Sequence, residues 1–170
     1  ICSLIGLRRI TVANTQSMCT SFLGELLSAT HNFSSANPAH TANTADTFKA
    51  ALYVTTATLN ASTTAYSATN EVSGTGYTAG GITVTNATNP SSTNSSTTAG
   101  VGYWTPSGNL GYSGVTLTTA FDALVIYNNT QSGKTVSVHT FGSQTVTAGT
   151  FTLTMPANTT STALLRFATT

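Results

Sequence analysis

The tightest constraint on this chain is period-two alternation. In TFKAALYVTT (residues 47–56), Phe48, Ala50, Leu52 and Val54 fall on one face, with Lys49, Ala51 and Tyr53 on the other. Successive strand side chains point to opposite faces, so this spacing predicts a half-buried strand. The same chemistry recurs downstream. Gly81–Thr85 is a short strand with Ile82 and Val84 on one face, and further strands are predicted over Val115–Ala120, Asp122–Tyr127, Thr135–Phe141 and Thr150–Met155. Gln144–Thr147 offers another short one, and Thr162–Ala168 closes the chain as a strand. The unbroken run Ala123-Leu124-Val125-Ile126 points to a central strand covered on both sides, and Asn128–Gly133 reads as a hairpin turn. About eight short strands at intervals of about ten residues, with no helical pattern between them, predict an all-β antiparallel sandwich or barrel.

The remaining stretches connect these strands. Leu59–Tyr66 is polar and fits either a short strand or a long excursion. In Glu71–Gly81, four glycines (Gly74, Gly76, Gly80, Gly81) allow two sharp turns. Asn86–Ala99 is an Asn/Ser/Thr surface loop, Val101–Trp104 is apolar again, and Pro106–Gly114 reads as a turn region. Upstream, Phe22, Leu23, Leu26 and Leu27 have helical spacing within Ser21–His31, with Ser21 as a usable N-cap and Gly24 as a weakness. Asn32–Ala45 has no period and reads as a linker. The apolar Ile1–Leu7 precedes Arg8-Arg9, the reverse of a secretory signal, while Met18 reads like a natural start. Residues 1–17 are then an upstream extension, or the chain is a processed product. These readings divide the chain into an N-terminal arm with a short helix over residues 1–45 and a β-sandwich over 46–170.

Charge narrows the function classes. Charged residues are 5% of the 170, against about 25% in an ordinary soluble domain. The hydrophobic share of 39% nevertheless argues for a folded chain rather than a disordered one. Net charge is +1, and outside Arg8-Arg9 the cations Lys49, Lys134 and Arg166 are scattered, so no basic footprint for nucleic acid forms. The longest apolar run, Ala123–Tyr127, is far short of a helical membrane span. Little electrostatic repulsion separates copies of such a chain, which suits a subunit of an assembly. Cys2 and Cys19 both precede the patterned region, and two free thiols are favoured over a bridge. Sequons at Asn32, Asn60, Asn86, Asn94, Asn128 and Asn158 arise readily in so Thr/Ser-rich a chain and carry little weight.

No residue set reads as catalytic, cofactor-binding or metal-binding. The four carboxylates Glu25, Asp46, Glu71 and Asp122 share no short motif, and Asp122 fits a turn cap better than an acid or base. His31 and His40 lie in the irregular segment, and His139 sits on the polar face of a strand, so no fixed set of three or four ligands is in sight. Gly74-Thr-Gly76-Tyr-Thr-Ala-Gly80 imitates a phosphate loop, but its third glycine is one residue late and strands flank it. Gly111-Tyr-Ser113-Gly114-Val115 imitates a nucleophile elbow but lacks the final glycine, leaving a triad with His139 and Asp122 only on paper. Tyr77, Tyr103, Trp104 and Tyr112 would make a sugar-stacking platform if they gathered. Anchoring loops to the core or lining a subunit contact is the favoured role.

One resemblance adds to this reading. The helix-like start Met18-Cys-Thr-Ser-Phe-Leu-Gly-Glu-Leu, the strand Thr47-Phe48-Lys49-Ala50-Ala51-Leu52-Tyr53, the NEVSGTGYTAGG stretch ending at Gly81 and the strand FDALVIYN together resemble small Thr-rich virion proteins of tailed bacteriophages. The resemblance covers Met18 to about Tyr127 and is specific in NEVSGTGYTAGG. It implies a capsid cement or decoration protein with a jelly-roll-like sandwich, sited on the virion's capsid exterior. Its partners would be the major capsid protein and copies of itself, as a homo-oligomer such as a trimer, with no nucleic acid, membrane, cofactor or enzymatic activity. The alternatives are a receptor- or glycan-binding β module of a fibre or tail, or a cell-surface adhesin domain. If the arm alone reaches the shell, a chain lacking residues 1–45 is expected to fold and to lose particle binding.

Overall fold

The computed structural model describes residues 13–34, 44–85, 89–93 and 100–169. Over these the chain is mostly β, with two antiparallel sheets and one short helix. Its elements are β1 (Ser17–Met18), α1 (Thr20–Leu27), β2 (Phe48–Val54), β3 (Ile82–Thr83), β4 (Ser91–Ser92), β5 (Val101–Trp104), β6 (Leu110–Asn128), β7 (Lys134–Leu153) and β8 (Leu165–Ala168). The larger sheet has the order β1-β7-β6-β2-β3, and the smaller β4-β5-β8.

The centre of the fold is a long hairpin. Asn128 Oδ1 accepts from the Gln131 amide at 3.1 Å, and the Gly133 amide donates to the Asn128 carbonyl at 2.9 Å, closing the expected turn. The four strands expected over 115–155 are instead two continuous ones, and Leu110–Gly114, read as turn, belongs to β6. The polar interruptions became register shifts, between Tyr112 and Val115, Val115 and Leu117, Leu117 and Phe121, and Phe121 and Ala123. A bulge leaves a residue unpaired and bends the strand without ending it. Polar gaps that mark strand ends in a short strand are therefore absorbed here.

Strand β2 lies between β6 and β3, with Ala50 opposite Ile126 and Leu52 opposite Leu124. It was expected to be half-buried, yet Ala51 and Tyr53 are as buried as Ala50 and Leu52. On the Phe48 face, Phe33 stacks at 4.4 Å from Phe48 and packs 4.7 Å from Trp104 of β5, joining the two sheets through aromatic rings. On the opposite face the excursion after β2 covers the sheet: Tyr66 stacks on Tyr127 at 4.6 Å, and Tyr53 Oη donates to the Ser67 carbonyl. Only this non-local cover makes both faces dry. The Ala123–Ile126 run is buried on both sides, as its composition implied.

The described part of the segment before Asp46 is no loose arm. β1 pairs with β7 through Ser17–Val138 and Met18–Ser137, and Cys19, Phe22 and Phe33 join the same buried cluster as the sheet. Helix α1 forms where its apolar spacing predicted. Its N-cap is Cys19, which makes no side-chain cap, so Ser21 does not cap it, and Ser21 Oγ is buried without a partner. Packing of Phe22 against His31 and Phe33 holds the helix in place of a cap.

Candidate interaction surface

Two polar networks gather Glu25, His31, Asp46 and Lys134 in one and Glu71 with three tyrosines in the other. In the first, Asn128 Oδ1 is taken by the Gln131 amide, so the Asn128 amide nitrogen faces His31 Nδ1 at 3.0 Å and Asp46 Oδ2 at 2.7 Å. Donation to Nδ1 requires that nitrogen to be bare, and the network thereby assigns the His31 proton to Nε2, which donates to Glu25 Oε2 at 2.8 Å. Lys134 Nζ donates to Glu25 Oε1 at 2.7 Å, and the Asn32 amide donates to Asp46. Burial would raise the Glu25 carboxyl, but the bonds from Lys134 and His31 hold it below the ordinary glutamate value. These bonds tie α1 and the chain entering β2 to the hairpin end. Asn128, the acceptor residue of one sequon, is fully buried here.

The second network explains the glycine-rich stretch. Glu71 Oε2 accepts from Tyr66 Oη at 2.6 Å, while Oε1 accepts from Tyr77 Oη and from the Gly80 amide, both at 2.7 Å. Tyr77 Oη also accepts from the Leu52 amide, and Tyr127 Oη donates to the Gly80 carbonyl. Burial, together with the Glu71 charge, pushes all of Tyr53, Tyr66, Tyr77 and Tyr112 well up and Tyr127 up to about 12. Gly80 and Gly81 take positive φ, and a methyl on Gly81 would run into the Ala50 carbonyl. The stretch is a fastened cover over β2. Gly74–Gly80 leads into β3 and opens no helix.

The other singled-out residues disperse. Asp122 lies inside β6 and accepts from Asn14 Nδ2 at 2.7 Å rather than capping a turn. His139 is half-buried beside Ser137 Oγ, at 2.8 Å from its Nε2, and burial lowers its imidazole to about 4. Ser113 and Asp122 lie nine residues apart on β6, roughly 30 Å along a strand, so the paper triad does not assemble. Tyr77 and Tyr112 stack on each other at 5.9 Å, while Tyr103 and Trp104 belong to β5 in the other sheet, so the four aromatics form no single platform. Cys19 is buried and free, burial raising its thiol; Cys2, His40 and Arg8-Arg9 lie outside the described residues.

Two surfaces stand out as candidates for contact. Between α1 and the small sheet runs a groove of about 350 Å³ lined chiefly by Phe22, Leu26, Phe33, Tyr103, Trp104 and Phe167. Beside it Leu23, Leu27 and Phe167 are the exposed large apolar residues among those described, Leu27 being 92% exposed. The second is the outer edge of β7. β1 covers it only at Ser137 and Val138; residues 140–153 pair with β6 on their inner side, but among the described residues no strand pairs with their outer side, a stretch without charge or proline. Helical spacing pointed to the leucines of α1 but not to which would face outward. Nothing in the sequence marked the β7 edge. Comparison of the chain with known protein families, curated proteins and solved structures gives no match.

Proposed function

We propose that this chain is a non-enzymatic structural subunit of a bacteriophage virion, decorating the capsid exterior and cementing it through contacts with the major capsid protein and with copies of itself. The observation that carries this reading is the uncharged outer edge of β7 over residues 140–153, which no strand among the described residues pairs. An unpaired edge is a template for another strand, and free-standing proteins blunt such edges with lysine, proline or cover. Assembly satisfies this one, as it would cover Leu23 and Leu27, and a net charge of +1 opposes close neighbours little. The phage context comes from the resemblance around NEVSGTGYTAGG. The finer architecture belongs to the same proposal: the two sheets form a jelly-roll-like sandwich about the Phe33–Phe48–Trp104 cluster, and an experimental structure of the assembled subunit tests it.

Deleting residues 1–45 would remove Cys19, Phe22 and Phe33 from the core, so it no longer isolates binding from folding. Substitution does. Thr147→Lys places a charge at an exposed edge position, and Leu27→Lys places one on the open helix face. Both are expected to keep the unfolding midpoint and to lower self-association in sedimentation and retention on purified particles. Gel densitometry against the major shell protein gives copy number: hundreds per particle agree with cement, and a few to some dozens would sink the reading in favour of a fibre or tail part. Unchanged association in both variants would remove these surfaces from it.

A further inference from the structure

A small cleft elsewhere holds a cation without an acceptor. Of the described cations, Lys134 pairs with Glu25 and Arg166 Nε donates to the Thr160 carbonyl. The ammonium of Lys49, half-buried in β2, makes no hydrogen bond or ion pair among the described residues. Its ammonium is held beside the glycine turn, since a methyl on Gly80 would lie 3.5 Å from Nζ. Glu71, the carboxylate bonded to the same glycine, turns both oxygens to Tyr66, Tyr77 and the Gly80 amide. With no anionic partner among the described residues, this ammonium can meet an anion in the cleft through charge-assisted hydrogen bonds.

The space beside it is a cleft of about 270 Å³, walled by Lys49, Tyr77, Thr78, Thr83, Tyr112 and Ser113. The two tyrosines are fixed: their rings stack, Tyr77 Oη engages Glu71 and Tyr112 Oη donates to the Ala50 carbonyl. The hydroxyls of Thr78, Thr83 and Ser113 take no partner among the described residues and stand around the rim. One cation with three hydroxyls fits a singly charged, hydroxyl-rich ligand better than a phosphate, whose charge approaches two. The volume lies just below the range of about 300–1,000 Å³ that takes drug-sized ligands, which matches one sugar ring.

We propose that the cleft beside Lys49 binds a carboxylate-bearing sugar ring, with Lys49 meeting the carboxylate and Thr78, Thr83 and Ser113 the ring hydroxyls. It is independent of the assembly reading, since the cleft is walled by residues of β2, the glycine turn, β3 and 111–115 of β6, and by none of the β7 edge residues 140–153. The test is titration of the full ¹⁵N-labelled chain with sodium glucuronate, glucose, acetate and inorganic phosphate, followed by amide shifts. Glucuronate is expected to shift amides of residues 76–83 and 111–115 saturably, with glucose and acetate roughly tenfold or more weaker, because each lacks half of the recognition. Lys49→Met is expected to weaken glucuronate by roughly tenfold or more. Should that variant unfold, Ser113→Phe, which fills the rim from an exposed position, is expected to block binding with folding intact. No saturable shift at these amides, undiminished binding in a folded variant, or acetate or phosphate matching glucuronate would overturn the proposal.

Discussion

Replacing Glu71 by alanine removes the acceptor of three donors at once: Tyr66 Oη, Tyr77 Oη and the Gly80 amide. Hydrogen bonds to a charged group contribute about 1.5–3 kcal/mol each. Glu71 is only half-buried, so water can reach part of the vacated space, and the total falls below that of three bonds at the lower end. The expected loss is about 3–4 kcal/mol. At about 2–4 °C per kcal/mol for a chain of this size, the unfolding midpoint falls by roughly 6–16 °C. Glu71→Gln keeps an oxygen for Tyr77 and Gly80 and loses only the charge and one acceptor, so about 1–2 kcal/mol is expected. Denaturant unfolding of the three proteins gives the free energies, and hydrogen exchange locates them. Amides of residues 66–81 should exchange faster in Glu71→Ala, while those of the β6–β7 hairpin change only by the global loss. A Glu71→Ala protein within about 1 kcal/mol of the parent, with residues 66–81 equally protected, would refute the view that this carboxylate fastens the glycine-rich cover.

Three further outcomes follow from the packing around single residues. Gly24 is exposed in the middle of α1 and an added methyl meets nothing within 4 Å, so Gly24→Ala should raise stability by about 0.5–1 kcal/mol in denaturant unfolding. Gly81→Ala combines a φ of +70° with a collision at the Ala50 carbonyl, and should lower stability by roughly 3 kcal/mol or more, read as a depressed melting midpoint. His139 is lowered by burial from 6.5 to about 4, so the unfolded chain binds the extra proton between those values. Stability is therefore complete above about pH 6.5 and falls toward pH 4, by at most about 3 kcal/mol before discounting for the water that reaches the residue, and His139→Gln should flatten that limb of the stability-versus-pH curve.

The legible parts of the fold are those whose pattern is local. Phe48–Val54 and Ala123–Ile126 formed strands where alternation and an unbroken apolar run placed them, and Asn128–Gly133 turned because an Asn side chain and a Gly suffice to close it. The polar breaks in 110–128 and 134–153 were misread as strand ends because bulging depends on a partner strand being present. Lys49 carried a signal, a charge inside an otherwise apolar strand, but its want of an acceptor becomes visible only when Glu71 is seen turned toward the tyrosines.

The sequence by itself determined an all-β chain with a short N-terminal helix, since period and turn chemistry act over neighbouring residues. Tertiary structure alone decided that residues as distant as Glu25, His31, Asp46 and Asn128 share one buried network, and that 66–81 closes over β2. It also decided that, among the described residues, no strand covers the outer edge of β7 over 140–153. Hydrogen-bond partners and sheet neighbours are set by long-range packing, and a side chain's chemistry does not name the group it will meet.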